Sequence, residues 1–245
     1  MIIFYCYARN ECKSYLKIRK IKRSDIVSEV FNSVRSKINA LIAKEAQLEE
    51  HVVDILENRD DPASKAFMID IIPFVHEFFK DWPFEKVATV LDVGAKTGAG
   101  SGLLAETHGV STASYLKMAV TALDLVPWFA RYAKIKWPNI DYIVTDVFSF
   151  EPEKPFDIVI SSHTIEHIVE YKSFIDRLCN ICSGYVFIYC PYNEDPLIEE
   201  HVIRIDNALI RDLSPLSHYI ITNQGWRWHG DCVLMVFRGK SETIA

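Results

Sequence analysis

Several short stretches of this chain end in residues able to bind a ligand or move a proton, and each follows an apolar run. "VLDVGAKTGAG" (90–100) carries Asp92, Gly94, Ala95 and Gly98, with Gly102 just beyond. "TALDL" (121–125) ends in Asp124 and Leu125, and "VTDV" (144–147) in Asp146 and Val147. "VISSH" (159–163) supplies Ser161, Ser162 and His163, and "YCPYN" (189–193) supplies Pro191, Tyr192 and Asn193. A carboxylate at the end of a second strand can accept both hydroxyls of a ribose held over the first turn, the role expected of Asp124. Asp146 can accept a hydrogen bond from an exocyclic amine such as adenine's. Any one of these acids alone reads as a turn residue or helix cap. Acids at successive strand ends behind a glycine-rich turn make a stronger case, and point to a nucleoside.

The glycine spacing then selects among ligands. Glycines at 94, 98, 100 and 102 do not meet the dinucleotide fingerprint G-x-G-x-x-G. The phosphate-cradling G-x-x-x-x-G-K-[ST] loop also fails, because no Gly-Lys follows at the right distance. What remains is Asp-x-Gly-x-x-x-Gly. Asp92 would repel a phosphate there, but it suits a cation. S-adenosylmethionine carries a sulfonium and an ammonium group and no phosphate. Lys96 stands in mid-turn, where the backbone must do without glycine's freedom and the side chain must point away from a sulfonium.

"HTIEH" (163–167) fits H-x-x-E-H, the inverted zinc-peptidase pattern. On one helix, His163 and His167 could share a metal with Glu166 as base. His163 directly follows a strand, however, and spacing marks no third ligand, although Glu194, Glu199, Glu200 and His201 lie downstream. No metal is assigned. In a group transfer these residues fall at the mouth of the site. A hydroxyl acceptor gains from a base titrating near neutrality, so His163, His167 and His201 are the candidate catalytic residues. The plainer reading of each is a packed or capping histidine. Trp226 and Trp228 could line an acceptor pocket, but near the final strands such residues more often serve the core.

The elements that must hold these residues follow from the pattern. Strands are expected at "KVATVLDVG", "MAVTALDLV", "DYIVTDVFSF", "FDIVISSH" and "YVFIYCPYN", with helices at "TGAGSGLLAETH", "PWFARYAKIKW" and "IEHIVEYKSFIDRLCNIC". A further helix, "PLIEEHVIRIDNALIRDL" (196–213), would carry His201. Two β-rich pieces after it, "SHYIITNQ" and "CVLMVFRG", lie close enough to pair antiparallel. This alternation predicts an α/β fold: a doubly wound, mainly parallel seven-stranded sheet with an antiparallel last strand. The extra length before the second strand, "HGVSTASYLK", is expected to form a loop or extended helix beside the ligand. Upstream, "ASKAFMIDIIPFVHEFFKDW" reads as a helix kinked or ended by Pro73. Residues 24–58 lack Gly and Pro and repeat apolar residues in heptads from Val27 to Ile55, broken only at Glu45. Such a helix could pair with a second copy as a homodimer or fold back on its own domain. The expected organisation is a basic N-terminus with a heptad-patterned helical extension over 1–60, then an α/β domain over 61–245.

A net charge of −6 gives no general attraction to nucleic acid. Residues 1–23 hold seven Lys/Arg against Glu11 alone, which leaves about −12 for the rest. No apolar run approaches the ~20 residues needed to span a bilayer. "MIIFYCYA" precedes its basic residues, the reverse of a secretory leader, so a cytoplasmic protein is expected. Its six cysteines then need form no disulfide framework. Cys179 and Cys182 make a C-x-x-C at the end of a helical pattern, where buried reduced thiols are the better reading.

Over about residues 85–240 the sequence resembles the Rossmann-like (class I) S-adenosylmethionine-dependent methyltransferases. "VLDVGAKTGAG" looks like their first motif, "ALDL" like the second-strand acid and "VTDVFSF" like the adenine-contacting segment. "FDIVISSHTIEHI" and "GYVFIYCPYNE" are similar to the fourth and fifth strands with their turns. The resemblance implies that Asp92, Gly94, Ala95 and Gly98 lie by the methionine part of the cofactor. It places Asp124 and Leu125 by the ribose and Asp146 and Val147 by the adenine, with Ser162 and His163 also among the cofactor-binding residues. It further implies methyl transfer to a small-molecule or sugar/glycan acceptor, in all expectation at a hydroxyl. The alternatives are a non-catalytic assembly module dimerising through residues 24–58, and a zinc hydrolase using HTIEH.

Overall fold

The computed structural model describes residues 61–222 and 230–240. The extension over 1–60, its heptad stretch, Trp226 and Trp228 lie outside the described residues. Asp61 caps the first helix, α1 (Pro62–Phe78), its Oδ1 accepting from Ser64 N at 3.4 Å. Pro62 occupies the first helical position, where an N–H would have no intrahelical partner. The helix runs through Pro73 instead of ending there. The carbonyl that Pro73 cannot serve belongs to Ile69, on the exposed face, where water can reach it.

The elements after α1 are β1 (Ala88–Val93), α2 (Ala99–His108), β2 (Met118–Asp124), α3 (Pro127–Lys136), β3 (Asp141–Val144), β4 (Phe156–Ser162), a 3-10 turn (Ile165–His167), α4 (Tyr171–Asn180), β5 (Cys182–Pro191), α5 (Asn207–Leu213), β6 (Ser217–Thr222) and β7 (Asp231–Arg238). They form one seven-stranded sheet in the order β3-β2-β1-β4-β5-β7-β6. β1 to β5 pair in parallel, and β7 is antiparallel to both β5 and β6. The strand order reverses between β1 and β4, where open α/β sheets leave a crevice at the strand ends.

The central strands are buried on both faces, so alternation sorts their side chains between two apolar layers. Ile158 and Ile160 of β4, Phe187 and Tyr189 of β5 and Leu234 of β7 pack with Phe67, Met68, Ile71 and Val75 of α1 and Leu104 of α2. Val159, Val186, Ile188 and Val233 join Phe174, Ile175 and Leu178 of α4 and Ile210 of α5. Each such side chain contributes roughly 1.5–3 kcal/mol by burial, which makes the sheet a firm floor for its loops.

Several expectations are corrected. Lys117 O accepts from Ala88 N at 2.8 Å, at the start of β1, so "HGVSTASYLK" lies at the sheet edge opposite the glycine turn and not beside it. α2 runs back along the strands and delivers it there. The helix expected from Ile165 to Cys182 divides into the 3-10 turn and α4, and Cys182 opens β5. The helix expected over 196–213 shrinks to α5, because Asp206 Oδ1 caps it, accepting from Ala208 N and Leu209 N at 2.8 Å each. His201 therefore lies on an irregular segment, held where Val202 N donates to Glu166 O (2.8 Å) and Asn193 N donates to Ile205 O (2.8 Å). β3 stops at Val144, short of Asp146.

Cys179, Cys182, Cys190 and Cys232 are free and buried. Burial pushes the Cys179 thiol up to about 11 and the Cys182 thiol to about 12, far from a reactive C-x-x-C. Among the described residues no helix is long and apolar enough to cross a membrane.

Candidate active site

Gly94 leaves β1 at φ 77°. A Cβ there would come 2.3 Å from Thr164 Oγ1, so both the backbone and the approach of the turn after β4 demand glycine. Gly98, at φ 74°, heads α2. Lys96 between them also adopts a left-handed backbone, φ 51°, at a cost of about 1 kcal/mol. It is held on several sides. Its N–H donates to Asp124 Oδ2 at 2.9 Å, its carbonyl accepts from the Tyr142 hydroxyl, and its Nζ lies 3.3 Å from Asp61 Oδ2. Thr97 Oγ1 donates to that same Asp61 oxygen at 3.1 Å. The lysine thus ties the glycine turn to the cap of α1.

Asp92 and Asp124 are 3 % and 2 % exposed. Burial lifts the Asp92 carboxyl to about 6, only partly offset by the hydrogen bond that its Oδ2 accepts from Ser101 Oγ at 2.6 Å. Asp124 is also raised by burial, against amide hydrogen bonds that include those of Lys96 and Val126, the latter 3.1 Å from Oδ1. Asp146 is exposed, and its Oδ1 accepts from Phe148 N at 3.0 Å. Leu125 is half-buried beside Asp124. Ala95 is buried and its amide donates to Leu123 O at 3.2 Å. Val147 is a core residue whose carbonyl accepts from Arg177 Nε at 2.9 Å, and Ser162 O accepts from Thr164 Oγ1 at 3.1 Å.

At the end of β4, His163 takes φ 48°, and its N–H donates to Tyr189 O at 2.7 Å. Its ring stacks on Phe67 with centroids 3.7 Å apart, and its Nε2 lies 3.8 Å from Cys232 Sγ. Glu166 is 1 % exposed, and neither of its carboxylate oxygens has a hydrogen-bond partner among the described residues. His163 Nδ1 stands 3.4 Å from Oε1, an approach that does not complete a hydrogen bond. Burial acts to raise the Glu166 carboxyl, but His163 and His167 beside it outweigh burial and hold it below its ordinary value. The rings of His167 and His201 meet edge to face at 4.8 Å. His167 Nδ1 lies 3.0 Å from Glu200 O, and His201 Nδ1 lies 2.5 Å from Glu194 Oε2.

The three candidate histidines do gather at the β4–β5 end, but not as one helix face. His163 packs toward α1, while Glu166, His167 and His201 form a cluster of their own. Asp61, Phe67, Ser101, Tyr142 and Thr164 are part of the setting and were not read from the sequence. Only Asp61, an acid directly before a proline and an apolar run, carried a local signal as a helix start.

A family model described as "Methyltransferase domain" matches residues 64–229. The chain is 27% identical over 139 residues to malonyl-[acyl-carrier protein] O-methyltransferase 1 of Ilyobacter polytropus, covering 56% of this chain and 41% of that protein. It is 26% identical over 117 residues to trans-aconitate 2-methyltransferase of Methylobacterium nodulans, covering 46% and 43% respectively. The matched part thus spans about two fifths of the length of these relatives. Among solved structures, 1,6-didemethyltoxoflavin-N1-methyltransferase of Burkholderia thailandensis, bound to S-adenosylhomocysteine, aligns with a TM-score of 0.55 at 18% identity over 81% of this chain and 90% of that one. The N-methyltransferase NodS of Bradyrhizobium japonicum, in complex with S-adenosylhomocysteine, aligns at 0.52 and 18% identity over 69% and 85%. Both structural likenesses concern the fold alone. The family match covers about two thirds of the chain, from α1 through the glycine turn to the histidine cluster, and S-adenosylmethionine is the methyl donor it brings. By that match, the chain belongs to the Rossmann-like (class I) S-adenosylmethionine-dependent methyltransferases.

Proposed function

We propose that the protein transfers the methyl group of S-adenosylmethionine to a hydroxyl of a small molecule or sugar. The observation that carries this reading is the contact between Gly94 and Thr164, which joins the glycine turn to the turn bearing Glu166 and His167. In this reading Asp92, Gly94, Ala95 and Gly98 hold the methionine part, Asp124 and Leu125 the ribose, and Asp146 and Val147 the adenine. Ser162 and His163 complete the cofactor-binding set. The acceptor oxygen attacks the methyl carbon in line, the carbon–sulfur bond breaks, and neutral S-adenosylhomocysteine leaves. A base among His163, His167 and His201 removes the hydroxyl proton. Because the displacement needs little covalent help, the rest of the protein's contribution is orientation at near-contact distance and exclusion of water.

Methylation at oxygen also agrees with the name of the Ilyobacter relative, an O-methyltransferase. The acidic balance supports a substrate other than nucleic acid, and the free buried thiols support a reducing, cytoplasmic setting. We assign the transferase domain to 61–245, and the heptad pattern of 24–58 supports a helix able to pair with a second copy or return to its own domain. Calorimetric titration with S-adenosylmethionine and S-adenosylhomocysteine tests the reading, with Asp124→Ala as control. Micromolar binding to the natural chain, weakened at least a hundredfold in the variant, is the expected result. A well-folded natural chain that binds neither compound would sink it and favour a non-catalytic assembly role.

A further inference from the structure

Buried acids elsewhere in this fold are served by donors. Asp92 accepts from Ser101, Asp124 from Lys96 and Val126, and Asp157 from the amide and hydroxyl of Thr89. Among the described residues Glu166 has no completed hydrogen bond on either sequestered oxygen, although His163 Nδ1 stands 3.4 Å from Oε1. A carboxylate removed from water and left without donors is a heavy cost to a fold, and such groups persist where they meet a cation. Glu166, His167 and His201 each offer a donor atom, and these atoms all lie within 4.8 Å of one another.

The surroundings prepare the two imidazoles for a metal. A carbonyl only accepts, so the contact with Glu200 O puts the His167 proton on Nδ1 and the lone pair on Nε2. The Glu194 carboxylate does the same for His201, and this pair is itself only 8 % exposed on each side. Imidazole ligands are commonly oriented through their second nitrogen by a carbonyl or a carboxylate in this way. The main chain fixes the cluster independently of its side chains, since Val202 N donates to Glu166 O at 2.8 Å.

We propose that Glu166, His167 and His201 bind a divalent transition-metal ion and leave one coordination position for the acceptor. Two imidazole nitrogens and one carboxylate oxygen suit zinc, iron(II) or cobalt(II), and not magnesium or calcium. Three protein ligands with an open position is the arrangement of catalytic zinc sites. Bonds of about 2.0–2.1 Å put tetrahedral donors about 3.3 Å apart, so these side chains close by at most about 1.5 Å on loading. The role of the ion deepens the proposed O-methylation and rests on it. An acceptor hydroxyl on the metal loses its proton to solvent near neutrality, and the resulting oxygen attacks the methyl carbon as the carbon–sulfur bond breaks. The acceptor class is then a hydroxyl with a neighbouring oxygen able to chelate, as in a hydroxy acid or a vicinal diol. His167 and His201 act as ligands in that scheme, and the metal replaces a free base.

The test is titration of the chelator-stripped full chain with Co2+, followed in the visible spectrum, with zinc competition. We expect one Co2+ per chain with the d–d bands of a four- or five-coordinate site, displaced by Zn2+ and untouched by Mg2+. Glu166→Gln and His201→Gln should each weaken uptake at least tenfold. Should a variant fail to fold, X-ray absorption of the zinc-loaded natural chain decides, through a first shell of two imidazoles and oxygen. Absence of stoichiometric uptake, uptake indifferent to both substitutions, or a sulfur first shell would overturn the inference. Titration with S-adenosylhomocysteine separates the two claims. Nucleoside binding without metal uptake overturns the metal site alone, and metal uptake without nucleoside binding overturns the proposed transfer alone.

Discussion

Asp124 and Glu166 are acids of similar burial, 2 % and 1 % exposed, one the last residue of β2 and the other in the turn after β4. Asp124 gives each oxygen an amide of its own chain, and in doing so closes the glycine turn around Lys96. Glu166 has no such donor among the described residues, although two histidine rings stand close by. The β1–β2 end is therefore preorganised, since its carboxylates are fixed before any ligand arrives. The β4–β5 end is built with a valence left over. The difference teaches that burial alone does not mark a site. What a buried group lacks says more about its ligand than what it touches.

Gly94 is the point where the two regions meet, and substituting it should have the largest effect. Gly94→Ala adds left-handed strain to a collision with Thr164, for a loss of roughly 2–5 kcal/mol in denaturant unfolding. Binding of S-adenosylhomocysteine should disappear with it. A variant of natural stability would show that the β4 turn yields, and that the two ends are not rigidly joined.

Asp92 sharpens the contrast through pH. Its folded value of about 6 lies above the ordinary 3.8, so the folded state holds the proton more tightly than the unfolded chain. Its contribution to stability is complete below about pH 4 and is lost as pH rises through 6, a change of roughly 2–3 kcal/mol for the ligand-free protein. Affinity for the cationic cofactor should rise over the same window as the carboxylate ionises. Asp92→Asn should flatten both profiles, and an unchanged pH dependence of binding would separate Asp92 from the ligand. The smallest effect belongs to Lys96→Gly. Relief of the left-handed backbone is worth about 1 kcal/mol, reduced by loss of the half-exposed pair with Asp61, so net stabilisation below about 1 kcal/mol is expected in thermal melts. A clear destabilisation would mean that the tie to α1 matters more than the strain.

The sheet was legible because its central strands are continuous apolar runs, and the glycine turn because few residues tolerate positive φ. The β4–β5 end was legible only in part. HTIEH stood out as a motif, but its helix could not be seen to break. Glu166 O is taken by Val202 N, a partner distant in sequence, instead of serving a continuing helix. The same bond draws His201 out of the helix expected for it. Asp206, followed by Asn207 and an apolar run, was a local signal for the true start of α5, and was absorbed into a longer helical pattern. Tertiary hydrogen bonds overrode local periodicity at both places, and both lie at the candidate site.

The adjacency of β1 and β4 at the centre of the sheet also sets when the site can come into being. Thr89 and Asp157, 68 positions apart, bond to each other across this seam, and Val90 pairs with Ile158. Contacts of that range form late, after the entropy of closing the intervening chain has been overcome. During synthesis the glycine turn leaves the ribosome before β2 and β3, and its Thr164 neighbour follows later still. A ligand of that turn can reward only the last steps of folding, so the nascent chain must reach β4 unaided by its cofactor.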